Sequence, residues 1–156
     1  MNQKVLDILL VEDDPADAEL TTRSLRKQET TGQIVIARDG AEALDYLFCR
    51  GEFEGRNVSE APRVVLLDLK LPRVSGHDVL KAIKTDDRTR CIPVIVMTSS
   101  NHEEDLLECY RRGVNSYIQK PVNLSQFQES VKQIGMYWLG VNLPPPEAAF
   151  QNKVIG

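Results

Sequence analysis

Two kinds of apolar segment alternate along the chain. Leu6–Val11, Ile34–Ala37, Val64–Leu67 and Pro93–Met97 are short runs rich in Val, Ile and Leu, which read as strands buried on both faces; Ser116–Gln119 is a fifth, weaker strand. Between them, apolar residues recur at helical spacing. Ala41, Leu44, Leu47 and Phe48 predict a helix from Gly40 to about Arg50, and Val79, Leu80 and Ile83 one that opens at Val74-Ser75-Gly76 and ends at Asp86-Asp87-Arg88. A helix carrying Leu106, Leu107 and Tyr110 stops at Gly113, and the last carries Leu124, Phe127, Val131, Ile134 and Trp138 on one stripe that should pack on the sheet. The first helix is announced by its start: Asp14 is an N-cap, Pro15 suits the first turn, and Asp17 and Glu19 complement the helix dipole before an end near Lys27. A turn is expected at 29–33. The polar segment 51–62 has no period and is long for a connection, so it is either mobile or an interaction element. Five repetitions of strand then helix specify an α/β fold, a doubly wound parallel sheet with helices on both faces. The folded unit is expected over residues 1–140. Residues 141–156, with prolines at 144 to 146, form an extension without a core of its own.

Composition narrows the function classes. A chain of 156 residues accommodates one domain with a single core. A formal charge of −4 without a basic run argues against a nucleic-acid partner. Apolar runs of four to five residues are far short of a membrane span, and no charged-then-apolar leader is seen, so a cytoplasmic location is expected. Cys49, Cys91 and Cys109 are scattered, lack metal-ligand spacing and read as reduced thiols.

The strand ends carry the chemistry. Glu12, Asp13 and Asp14 follow the first strand, Asp68 the third, Thr98 the fourth and Lys120 the fifth. A parallel sheet brings all of these to one edge, where ligands bind in such folds. Converging carboxylates raise one another's pKa unless a counter-charge is present. A hard divalent cation supplies one, and Mg²⁺ suits the task because it takes one or two carboxylates, keeps waters and accepts phosphate oxygens. Lys120 adds a second positive charge and Thr98 a neutral donor. Together these groups meet the needs of phosphoryl transfer: an in-line nucleophile, a metal, and hydrogen-bond donors.

Glu12-Asp13, Asp68 within Leu-Leu-Asp-Leu-x-Leu-Pro, Gly76, Thr98, and Lys120-Pro121 with Tyr117 three residues earlier make the chain resemble a bacterial two-component response regulator receiver domain, of the single-domain, chemotaxis-receiver-like kind. The resemblance spans residues 5 to about 138 and implies a flavodoxin-like strand order 2-1-3-4-5. It further implies that Asp68 accepts a phosphoryl group from a histidine kinase phosphohistidine. Asp13 and Asp68 would bind Mg²⁺ directly, Glu12 through water, and the backbone carbonyl of Lys70 would be a further ligand. Thr98 and Lys120 would hold phosphoryl oxygens, the Lys120–Pro121 bond would be cis, and Tyr117 would be an aromatic switch. Asp14 stays outside the metal shell because capping explains it. The resemblance also implies that Lys70 and Ser100 tune phosphoryl lifetime, and that the surface of the fourth helix, fifth strand and fifth helix reads the phosphoryl group.

The loop 51–62 and the stretch Met136–Pro144 are similar to those of receivers that work with phytochrome-type histidine kinases. Trp138 and Leu139 extend the last stripe past the sheet, as packing against the fourth helix or as a homodimer contact, with the dimer favoured because aromatic residues at exposed helix ends are enriched at interfaces. Two other functions are weighed. A phosphatase with an Asp nucleophile needs a second acid two residues on, where Lys70 stands. A non-phosphorylated interaction module of the same fold would have no use for Asp13, Asp68, Thr98 and Lys120. A nucleotide-binding protein is excluded by the lack of a Gly-rich phosphate loop. The expected protein is thus a phosphoacceptor that catalyses its own phosphorylation and dephosphorylation rather than turning over a substrate.

Overall fold

A computed structural model describes residues 6–28 and 32–150. The expected turn at 29–33 lies largely outside them, as does the end of the C-terminal extension. Five parallel strands, β1 (Leu6–Val11), β2 (Gln33–Ala37), β3 (Val64–Leu67), β4 (Val94–Thr98) and β5 (Ser116–Gln119), form one sheet in the order β2-β1-β3-β4-β5. Helices α1 (Pro15–Arg26), α2 (Gly40–Leu47), α3 (Gly76–Thr85), α4 (Glu103–Arg111) and α5 (Leu124–Gly135) connect and follow them. This is the flavodoxin-like arrangement. One core lies between the sheet and α2, α3 and α4; the other lies between the sheet and α1 and α5. Every residue of β3 and β4 is buried, as expected for central strands covered on both faces.

Side-chain caps start four helices where the sequence places them. The Asp14 carboxylate accepts from the amide of Ala16 at 2.8 Å, Asp39 from Glu42 at 2.7 Å, Ser75 from Asp78 at 3.2 Å and Asn123 from Gln126 at 3.1 Å. The register then sets the site. Val11 pairs with both Ala37 and Leu67, and Leu67 with Val96, so Glu12 and Asp68 leave the sheet side by side, while Thr98 pairs with Gln119, one residue before Lys120.

Three elements differ from the sequence pattern. Leu106, Leu107 and Tyr110 are exposed, and α4 buries Cys109 instead, so its apolar outer face is open. Leu124 is exposed too, and α5 continues as a π-helical turn, Met136–Val141. The wider turn delays the stripe by one residue. Leu139 becomes the buried member, with Trp138 half-buried against the same α1–α5 core rather than against α4. Finally, the extension turns back: Phe150, at the end of the short turn Glu147–Phe150, is buried in the core that holds Tyr46, Leu47 and Ala43. The 51–62 loop is pinned nearby. Phe53 meets Tyr46 edge-on at 5.0 Å, and the Arg56 guanidinium lies 3.7 Å from the Tyr46 ring centroid while donating to the carbonyls of Tyr46 and Glu60.

Phe150→Ala should therefore lower stability by about 3 to 5 kcal/mol in urea unfolding. A loss below about 0.5 kcal/mol, the range of ordinary surface changes, would show that the extension adds nothing to the fold.

Candidate functional site

The site is built at the carboxyl edge of β1, β3, β4 and β5. The amide of Asp68 donates to the Val11 carbonyl at 3.1 Å, and that of Glu12 to Ala37 at 3.0 Å, which fixes both carboxylates at the sheet's rim. Oxygens of Glu12, Asp13 and Asp68 come within 4.8 Å of one another. Glu12 and Asp68 are nearly enclosed, whereas Asp13 faces solvent. Gly76 makes room: its amide donates to Leu69 at 2.9 Å, and a β-carbon there would stand 2.2 Å from the Asp68 carbonyl oxygen.

Lys120 is the counter-charge. Its Nζ lies 3.0 Å from Asp68 Oδ2, 3.1 Å from Glu12 Oε2 and 3.2 Å from Asp17 Oδ2. Its backbone amide donates to the Thr98 carbonyl at 2.7 Å, which ties β5 to β4 at the point where the side chain departs. Burial lowers the affinity of this ammonium for its proton, but Asp68 and Glu12 outweigh that and hold its pKa above the ordinary value. Burial is also the main influence on Glu12, pushing its pKa from 4.5 up to about 7; Lys120 opposes the rise and Asp68 adds to it.

Thr98 is fully buried, and its hydroxyl accepts from the amide of Ser100 at 3.2 Å. The amide of Lys70 donates to Asp68 Oδ1 at 3.3 Å. Tyr117 is half-buried, its hydroxyl enclosed near Ser100 without a hydrogen-bond partner among the described residues, and burial raises its pKa. Asp14 caps α1, and its amide donates to Glu12. The Lys120–Pro121 bond is trans, contrary to the cis form expected: no described residue has a cis peptide. With the trans bond, which X–Pro linkages favour by about 0.5 to 1 kcal/mol, the amide and ammonium of Lys120 already meet their partners.

Asp17 was not recognised as a site residue in the sequence, where the helix dipole accounted for it. Its signal was its place in the first turn of the helix that starts at the acid cluster. An open groove of about 630 Å³ between α1 and β2, lined by Glu12, Asp13, Arg23, Arg26 and Arg38 among others, leads to the cluster.

The description "Response regulator receiver domain" fits residues 8–132. The chain belongs to the response regulator receiver family. The receiver is 47% identical over 141 residues to the probable methanogenesis regulatory protein FilR2 of Methanothrix harundinacea, covering 90% of this chain and 88% of that one. Two crystal structures superpose on it with a TM-score of 0.85, each over 90% of this chain and 99% of the other: the Mn(2+)-bound form of response regulator Rcp1, at 36% identity, and the phosphorylated cyanobacterial phytochrome response regulator RcpA, at 39%. Receivers of this kind are signalling proteins of two-component systems rather than substrate-turnover enzymes. The cluster Glu12, Asp13 and Asp68 fits the divalent-metal binding of the family, being an all-oxygen set at the right mutual spacing.

The Glu12 pKa sets a pH dependence. Its folded value, about 7, lies above the ordinary 4.5, so the stability tied to its proton is complete below about pH 4.5 and lost as pH rises through about 7. The metal-free protein should lose thermal stability between about pH 4.5 and about pH 7, and Glu12→Gln should flatten that decline. Calorimetric Mg²⁺ affinity should rise over the same interval, because the cation displaces the proton. A pH-independent affinity would contradict this account of Glu12.

Proposed function

We propose that the receiver accepts a phosphoryl group onto Asp68 from the phosphohistidine of a sensor histidine kinase or a phosphotransfer protein, and passes the change to its α4–β5–α5 surface. The observation that carries this reading is the position of Lys120 within 3.0 to 3.2 Å of Asp68, Glu12 and Asp17, where a mobile ammonium is ready to follow a new negative charge. An Asp68 oxygen attacks phosphorus, the N–P bond breaks, and the imidazole leaves. Asp13 and Asp68 would hold Mg²⁺ directly, Glu12 through water and the Lys70 carbonyl as a further ligand. Bound there, the ion would supply positive charge to the phosphoryl oxygens. Lys120 and the Thr98 hydroxyl bind the remaining oxygens. The Thr98 movement opens space into which the half-buried Tyr117 ring turns. The same groups promote later attack by water, so the receiver also removes its own phosphoryl group. It acts in the cytoplasm, where such kinases display their phosphohistidine, and the likeness to RcpA favours a phytochrome-type kinase.

The homodimer also belongs to this proposal, at a shifted site. Leu139 is consumed by the core, so the contact falls to the exposed Met136, Tyr137, Val141 and Leu143. Sedimentation at micromolar concentration should show a dimer that Tyr137→Glu dissociates; a native monomer, with or without a phosphoryl mimic, removes it.

Incubation with Mg²⁺ and a small phosphodonor should add one phosphoryl group by intact mass, and Asp68→Asn should abolish the addition. If the folded, Mg²⁺-binding protein shows no mass shift, the switch fails and a phosphorylation-independent interaction module takes its place.

A further inference from the structure

A second polar network lies beside the acid cluster, and two of its members, His77 and Asp105, have none of the roles above. His77 follows Gly76, whose amide is fixed to the Leu69 carbonyl, so the backbone before the imidazole is held against the loop that leaves Asp68. Its Nε2–H donates to Asp105 Oδ1 at 2.8 Å. The other oxygen of Asp105 accepts from the Ser100 hydroxyl at 2.5 Å, and the Ser100 hydroxyl accepts from the His102 amide at 3.2 Å. Ser100 in turn donates its amide to the Thr98 hydroxyl at 3.2 Å. An unbroken chain of hydrogen bonds thus runs from the start of α3, on one flank of Asp68, through α4, to the buried Thr98 on the other.

The far side of the ring is engaged as well. The Cys109 sulfur lies 3.8 Å from His77 Nδ1, and burial pushes the thiol pKa up to about 11, so it stays protonated. Glu108, 3.6 Å from Nδ1, is engaged by Arg112 at 2.7 Å. The Ser100 and His77 hydrogen bonds hold the Asp105 carboxyl below its ordinary pKa, keeping it an acceptor for both neighbours.

We propose that His77 is a positioning residue for the phosphorylation site: through Asp105 it anchors Ser100, and through Ser100 it anchors the Thr98 hydroxyl, so the His77–Asp105 bond opposes the movement of Thr98 toward a phosphoryl group on Asp68. This deepens the receiver reading and rests on it. Since the chain stabilises only the arrangement in which Thr98 is turned to Ser100, breaking it raises the population of the competent arrangement and the phosphorylation rate with it. Because Asp105 lies in the first turn of α4, the same bond ties α4 to the start of α3.

The test compares phosphorylation rates with a small phosphodonor and Mg²⁺ in the full chain, for native protein, His77→Ala, His77→Gln, Asp105→Ala and the double alanine variant. His77→Ala should raise the rate roughly threefold to tenfold, the range that corresponds to one hydrogen bond. His77→Gln, whose amide nitrogen can replace Nε2, should return it toward the native rate. Asp105→Ala should match His77→Ala, and the double variant should go no further. Equal rates in all five proteins, or additive effects of the two alanine changes, would overturn the proposal. Amide spectra without phosphodonor separate it from the receiver reading itself. His77→Ala should shift the Ser100 and Thr98 amides and His77→Gln should not, even if no protein is phosphorylated. An unmoved Ser100 amide in His77→Ala would overturn the anchor.

Discussion

One ammonium group stands among the carboxylates at the carboxyl edge of the sheet, and the rest of the structure is arranged to put it there. Like charges at such separations repel by about 1 to 4 kcal/mol per pair, depending on exposure. Glu12, Asp68 and Asp17 are tolerable neighbours because Lys120 reaches all three. That reach depends on β1 lying between β2 and β3, on β4 pairing with β5 up to Thr98 and Gln119, and on the amide bond from Lys120 to Thr98. It depends also on Gly76, since any side chain there would strike the backbone of Asp68.

The same arrangement suits the site to the proposed switch better than a fixed salt bridge would. Breaking a buried ion pair from one side is costly because it leaves an uncompensated charge. Lys120 avoids that penalty by having three acceptors, so it can exchange one for a phosphoryl oxygen and still be paired. Glu12, with its pKa raised toward neutrality by burial, can adjust its proton as the local charge changes. The core beneath these groups is closely packed, so in the proposed mechanism a change at Asp68 is passed to the Thr98–Ser100 turn and to α4, whose exposed Leu106, Leu107 and Tyr110 form an apolar face.

Much of this was legible in the chain because a strand's end is a one-dimensional mark. Val64–Leu67 followed by Asp68, and Ser116–Gln119 followed by Lys120, could be read as places on the sheet's edge without knowing any distance. Asp17 was harder, because its approach to Lys120 depends on where α1 lies over the sheet, and the helix dipole was a sufficient reason for an acid there. The His77–Asp105–Ser100 chain joins residues up to 28 positions apart through two helices, and spacing alone does not reveal such contacts. Leu139 and Trp138 exchanged roles because a π-helical turn breaks the 3.6-residue period on which the stripe was counted. Phe150 followed three prolines and looked like part of a tail, yet Tyr46 and its neighbours offered an apolar site that only the folded α2 and 51–62 loop create.

The central claim is that Lys120 and Thr98 follow charge added at Asp68. Its most direct measurement is a backbone-amide NMR titration of the Mg²⁺-loaded protein with beryllofluoride, a phosphoryl mimic. The account predicts that the amides of Asp68, Thr98, Ser100, Tyr117 and Lys120 shift together at one stoichiometric equivalent, and that Asp68→Asn abolishes the response. Shifts confined to Asp68 and its immediate chain neighbours, with Thr98, Tyr117 and Lys120 unmoved, would contradict it.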